Sequence, residues 1–210
     1  MSFPILSAIQ QRYLDLIGQP TGTIDSFGTR NINGAINDIV NRYSFSWNLD
    51  SADLTLAAGV ADLPTDYNPR WGLTDARIVV SEDNNDQVFT QIPVYDRDKY
   101  SADDYVYWIT PDPANNKYIF NSKAQTGTVT VYYNVLPTDL SAASDPCIVP
   151  DLEAVSYLAA SKNWIGSERD TELKREYEQM AKQYIDALYF RDLYQGAEVQ
   201  ITSLALQLGE

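Results

Sequence analysis

Helical periodicity at both ends of the chain, with short β-branched segments between, predicts an α+β fold. It is a helical bundle of two N-terminal and two C-terminal helices, with an inserted small antiparallel β domain and an extended C-terminal tail. Three stretches carry the prediction: a helical hairpin between Ile148 and Tyr194, an alternating strand at Gly127 to Val135, and a period-two terminus after Tyr194. The divisions fall at 1–47 for the first helices, 48–137 for the β domain, 138–195 for the hairpin and 196–210 for the tail.

At the start, Ser2 can cap a helix beginning at Phe3-Pro4, with Ile5, Leu6, Ile9, Tyr13, Leu16 and Ile17 on its apolar face. Gly18 and Pro20 end it. A second helix runs between Asp25 and Arg42, with Ile32, Ile36, Ile39, Val40 and Tyr43 at 3.6 spacing; Gly28 and Gly34 weaken its early turns.

From Phe45 the period changes. Leu54, Leu56, Val60 and Leu63 lie in short segments bent at Ala58-Gly59, and Leu63-Pro64-Thr65-Asp66-Tyr67 cannot continue a helix. Ala76 to Val80 and Gln87 to Val94, separated by Asp83-Asn84-Asn85-Asp86, read as one hairpin. Tyr105 to Ile109 and Lys117 to Phe120 read as another, across the turn from Pro111 to Asn116. Gly127 to Val135 alternates as a half-buried strand does, and Leu136-Pro137 stops it.

The C-terminal hairpin opens at Pro150-Asp151 with Glu153 in its first turn, where unpaired amides favour acids. Leu152, Val155, Leu158 and Ala159 follow at helical spacing, and Gly166-Ser167 supplies a corner and a new cap. In the last helix Leu173, Tyr177, Met180, Tyr184 and Leu188 form one face, widened by Ala181 and Ile185. Asp170 with Lys174 and Glu178 with Lys182 are the expected pairs on the solvated face. The core of the bundle is therefore expected from Leu152, Val155, Leu158, Leu173, Tyr177, Met180, Tyr184 and Leu188.

Beyond Tyr194, Val199, Ile201, Leu204, Leu206 and Leu208 alternate with polar and small residues, with one slip at Ser203. Period two predicts an extended strand seeking a sheet edge. It can pair with the protein's own sheet or add to a neighbouring subunit or another protein; the helices before it offer no edge, which favours the second.

Composition narrows the chemistry. Histidine is absent and Cys147 is the single cysteine, which removes the usual triad base, the commonest metal ligand, a thiolate cluster and any intramolecular disulfide. With 29 acids against 15 bases, the net charge of -14 opposes a grip on a phosphate backbone. No run approaches the ~20 apolar residues of a membrane span, and the N-terminus lacks the pattern of a signal peptide, so a soluble cytosolic chain is expected.

No catalytic constellation stands out, and no cofactor or metal is expected. Ser161-Lys162 point about 100° apart on a helix, and Gly18 to Gly22 lacks the lysine and the strand of a phosphate loop. Asp83 to Asp86 and Asp103-Asp104 lack calcium-loop spacing and read as turns. Tyr105-Val106-Tyr107-Trp108 and Tyr132-Tyr133 put rings on both strand faces, which predicts a covered outer face; a carbohydrate-binding module would use the same residues.

Arg42-Tyr43-Ser44-Phe45-Ser46-Trp47, the Leu63 to Tyr67 step, Tyr132-Tyr133 with Leu136-Pro137, and Val149-Pro150-Asp151-Leu152 occur in an order that resembles the head-to-tail adaptor proteins of tailed bacteriophages, among them the tail tubular protein A type. The resemblance spans about Asp25 to Tyr194. It implies a structural virion protein of the neck, assembled in the host cytoplasm and not an enzyme, present as a ring of twelve copies beneath the portal protein. The β part would face a tail nozzle, stopper or tail tube protein, and viral double-stranded DNA would pass through the lumen without specific binding. In this family the C-terminal segment commonly inserts into the portal, which makes Val199, Ile201, Leu204, Leu206 and Leu208 the expected portal contacts. An accessory virion module that binds carbohydrate is the alternative.

Overall fold

A computed structural model describes residues 3–80, 85–123, 126–163 and 168–207. The chain is α+β and divides into two compact units, Met1–Trp47 with Pro137–Glu210, and Asn48–Leu136.

Among the described residues the first unit carries four α-helices: α1 (Leu6–Leu16), α2 (Ser26–Val40), α3 (Leu152–Ser161) and α4 (Glu168–Gln207). α3 packs against each of the other three, and it is the most apolar of them, with Ala154, Val155, Ser156, Ala159 and Ala160 all buried. Small residues on α3 let its neighbours approach, and the larger Leu6, Ile9, Tyr13, Ile32, Ile36, Ile39, Ile185 and Leu188 fill the space around it.

The helix starts are built in different ways. Asp25 and Asp151 are side-chain caps, accepting from the amides of Gly28 at 2.7 Å and Ala154 at 2.9 Å. α1 begins later than Phe3 and without a side-chain cap: the amides of Leu6 and Ser7 donate to the carbonyls of Asp145 and Ala143, on the loop before α3. Ser2, the expected cap, lies outside the described residues. Ile5 precedes the helix and is exposed, and Leu14 takes a buried place on α1 instead. Gly18, at φ +75°, ends α1 as expected.

Gly28 does more than weaken a turn. A Cβ there would stand 2.7 Å from Ile24 Cγ1 and 3.1 Å from Tyr13 Cε1. Glycine therefore sets how closely α2 approaches the Tyr13 ring.

Among the described residues the second unit holds two four-stranded sheets. One runs β1 (Leu49–Leu56), β8 (Gly127–Asn134), β3 (Leu73–Val80), β4 (Asn85–Val88); the other runs β2 (Val60–Asp62), β7 (Lys117–Ser122), β6 (Val106–Asp112), β5 (Thr90–Gln91). β8, the alternating strand of the sequence, is antiparallel to both β1 and β3. The sheets share one core: Leu54, Ile78, Val129 and Val131 from the first meet Tyr107 and Phe120 from the second, whose rings stack at 5.1 Å.

Two tight devices carry the chain from sheet to sheet. Ala58 and Gly59, at φ 51° and 82°, turn β1 into β2, with Ala57 and Val60 exchanging hydrogen bonds at 3.0 and 3.1 Å. The second device corrects the sequence reading of Gln87 to Val94 as a single strand. The Phe89 amide donates to the Ala76 carbonyl in the first sheet, whereas the next amide, Thr90, donates to Tyr105 in the second. The buried Phe89 ring sits at the switch, edge-on to Tyr105 and Phe120. Periodicity cannot reveal such a transfer, because alternation continues through it. The hairpin turn between β3 and β4 includes residues outside those described, and β6 and β7 pair as expected across a turn with Asn116 at φ 52°.

The largest correction concerns the C-terminus. The alternation after Tyr194 predicted an extended tail, but α4 continues as helix through Gln207, 40 residues in all. Alanine, leucine, glutamine and glutamate propagate a helix well, and extension from an existing helix carries no nucleation cost. The slip at Ser203 makes the spacing fit a helical period too, with 197, 201, 204 and 208 separated by four, three and four. The corner at Gly166-Ser167 and the residue Leu208 lie outside the described residues.

Candidate assembly surface

Among the described residues no cluster of histidine, cysteine, aspartate and glutamate could hold a metal ion. A groove along α2 is lined by Ser26, Thr29, Arg30, Asn33, Asn37 and Asp139, polar groups without a nucleophile beside a base. Asn33 is committed to structure, since its amide exchanges hydrogen bonds with the backbone of Leu140 at 3.0 and 3.2 Å. Ser161 is buried and bonds the Leu158 carbonyl at 2.7 Å, while Lys162 forms an ion pair with Asp38. Cys147 is buried, and burial pushes its thiol up to about 11, which keeps it a poor nucleophile.

The aromatic strands turn most of their rings inward. Tyr107 and Tyr133 are buried, Tyr67 meets Tyr118 edge-on at 5.5 Å, and the Tyr133 hydroxyl donates to Asp66 at 3.1 Å. On the outer face of the second sheet Val106 is buried and Trp108 half-buried, whereas on the outer face of the first sheet Tyr132 is 40% exposed, so the first sheet is only partly covered there in the single chain.

The residues expected to form the core on α3 and α4 are placed as follows. Val155 and Leu188 are fully buried; Leu152, Leu158, Tyr177 and Tyr184 are half-buried against the same core; Leu173 and Met180 are half-buried. Ala181 and Ile185 are the most deeply buried part of α4 along with Leu188. Tyr177 also donates to the Leu16 carbonyl at 2.8 Å. Of the surface pairs expected on α4, Lys174 faces Glu178 at 3.8 Å, a different combination from either one anticipated.

Polar ties between distant segments were not visible in the sequence. Arg12 donates to both carboxylate oxygens of Glu153 at 2.9–3.0 Å and lies 5.6 Å over the Tyr157 ring, which joins α1 to the first turn of α3. The buried Asp192 holds Ser46 by its amide and hydroxyl, and Tyr43, one turn away, stacks on Tyr189 at 4.2 Å. Each tie pairs residues more than 140 positions apart, which no local pattern encodes.

Asp192 is the last residue of α4 with a described tie to its own core. Around it the opposite face of the helix is open: Phe190, Leu193 and Tyr194 are 55, 51 and 69% exposed. Val199, Ile201, Leu204 and Leu206 lie farther along the same helical backbone. This end of α4 is the candidate assembly surface. No described helix is long and apolar enough to cross a membrane.

The family model for SU10 adaptor protein matches residues 5–203, from the residue before α1 to near the end of α4. Among curated proteins none matches the chain. The match agrees with the head-to-tail adaptor resemblance at the level of a phage adaptor, a structural virion component with partners in head–tail assembly, and does not reach the tail tubular protein A type. With nearly its whole length matched, from α1 through both sheets and into the end of α4, the chain belongs to the SU10 adaptor protein family.

Proposed function

We propose that the chain is one subunit of a ring, twelve copies, that joins the portal protein to the tail and lines part of the path for DNA. On this reading its role is that of the tail tubular protein A type of adaptor. The four helices form the bundle of the ring wall, the strand unit meets a tail nozzle, stopper or tail tube protein, and the C-terminal segment engages the portal through Val199, Ile201, Leu204, Leu206 and Leu208. DNA passes without specific binding, for packaging retention and ejection.

The observation that carries this reading is the family match that runs into the end of α4, past the exposed Phe190, Leu193 and Tyr194. The charge supports it: a net -14 makes a wall from which DNA is repelled and to which it cannot adhere. Cosedimentation of the chain with its candidate portal tests the portal contact. The full chain should pellet with the portal and a truncation lacking 199–210 should stay in the supernatant; equal pelleting of both would overturn the assignment of those five residues.

A further inference from the structure

The backbone of β1 alternates between a partnered side and an open one. Asn48, just before the strand, accepts from the Val135 amide at 3.0 Å, so the even-numbered residues turn their backbone groups toward β8. The odd-numbered ones turn away. Ala57 exchanges hydrogen bonds with Val60 on that side, and the Ser51 amide donates to the carboxylate of its own neighbour Asp50 at 2.8 Å. Between these two points the backbone of Asp53 and Thr55 faces the open edge, and Ser51, Asp53 and Thr55 are all exposed.

An open edge of this length is a template for another strand. β1 is eight residues long and pairs with β8 in unbroken register, with no proline, lysine or bulge to blunt it. The other sheet edges among the described residues, β2, β4 and β5, run only three, four and two residues.

The charge of the edge selects what can be added. Asp50 and Asp53 are the charged residues of β1, β8 carries none, and Arg77 on β3 is paired with Asp75 at 2.6 Å. A second copy of β1 would bring acids toward acids in a chain of net charge -14, whereas a strand bearing lysine or arginine meets carboxylates without a competing base.

We propose that the open edge of β1 takes up an extended segment of a tail-side protein, with basic residues at alternate positions, through the backbone of Asp53 and Thr55. This rests on the reading that the strand unit meets the tail and gives that contact its form: main-chain hydrogen bonds hold the segment and the carboxylates select it. The test uses neither portal nor tail, so either reading can fail alone.

A short peptide alternating lysine with threonine and valine, titrated into the isotope-labelled full chain, should shift the amide resonances of Ser51, Asp53 and Thr55 saturably. The same peptide, N-methylated on the amides that would face β1, keeps its charge but loses its edge hydrogen bonds, and should bind at least about tenfold more weakly. Asp53→Lys should reverse the preference from the lysine peptide to its glutamate counterpart. Its circular dichroism should be unchanged, since the substitution gives up a surface bond from the Thr130 hydroxyl. Shifts that miss β1, equal binding of the N-methylated peptide, or shifts at β1 that grow with protein concentration without peptide, the mark of a second copy, would overturn the proposal.

Discussion

The carboxylate of Asp192 accepts from both the backbone amide and the hydroxyl of Ser46, the amide at 2.8 Å, and closes a gap of 146 residues. It is buried, so its acceptors are met by donors of the fold. Asp192→Ala leaves the Ser46 amide without this acceptor and should cost about 1–3 kcal/mol in denaturant unfolding. A change within the measurement error would mean that water replaces the carboxylate.

Gly28 is held by contact distance. Gly28→Ala places a methyl 2.7 Å from Ile24 Cγ1 and 3.1 Å from the Tyr13 ring. It gains helix propensity of up to about 1 kcal/mol but must displace both neighbours, at about 1–3 kcal/mol. Net destabilisation is expected, read as a lower melting temperature; Gly34→Ala, whose nearest neighbours are Lys162 side-chain carbons at 3.9 Å, should be neutral or stabilising.

Burial raises the phenols of Tyr67 and Tyr107 from 10.0 to about 12, and raises that of Tyr133, beside Asp66, as well. The folded chain keeps these protons where the unfolded chain has released them. Stability is therefore fully present below about pH 10 and is lost as pH climbs toward 12, by up to about 1.4 kcal/mol per unit for each tyrosine. Denaturant midpoints should be flat from neutral pH to 9 and fall above 10. Tyr107→Phe, which loses only a 3.3 Å bond to Gln91, should make the fall shallower.

Cys147 is 1% exposed, with its thiol raised to about 11. An aromatic disulfide reagent at pH 8 should react with it only after denaturant is added. Rapid labelling of the native chain would show that the segment between Pro4, whose carbonyl accepts the Cys147 amide at 2.8 Å, and α3 opens readily.

Much of the secondary structure was legible because it is periodic. α2 falls within the bounds read for it, α3 starts beside the Asp151 read as an N-terminal signal, β8 shows its alternation, and Ala58-Gly59 turns as read. What escaped falls into two kinds. The strand switch at Phe89 and the ties of Arg12 to Glu153 and Asp192 to Ser46 depend on segments far apart in sequence. The end of α4 was misread for another reason: aliphatics at 199, 201, 204, 206 and 208 follow a period of two, while 197, 201, 204 and 208 in the same stretch keep a helical spacing. Context decides between them, and here a helix already under way continues. The exposed Phe190, Leu193 and Tyr194 were the missing signal, since their spacing from Leu188 already placed them away from the core.

The most direct test of the adaptor role is cryo-electron microscopy of the protein mixed with its candidate portal. The account predicts a closed ring of subunits seated on the portal, with the end of α4 in contact with it and an open lumen along the axis. A portal that remains bare in the presence of excess full-length chain would contradict it.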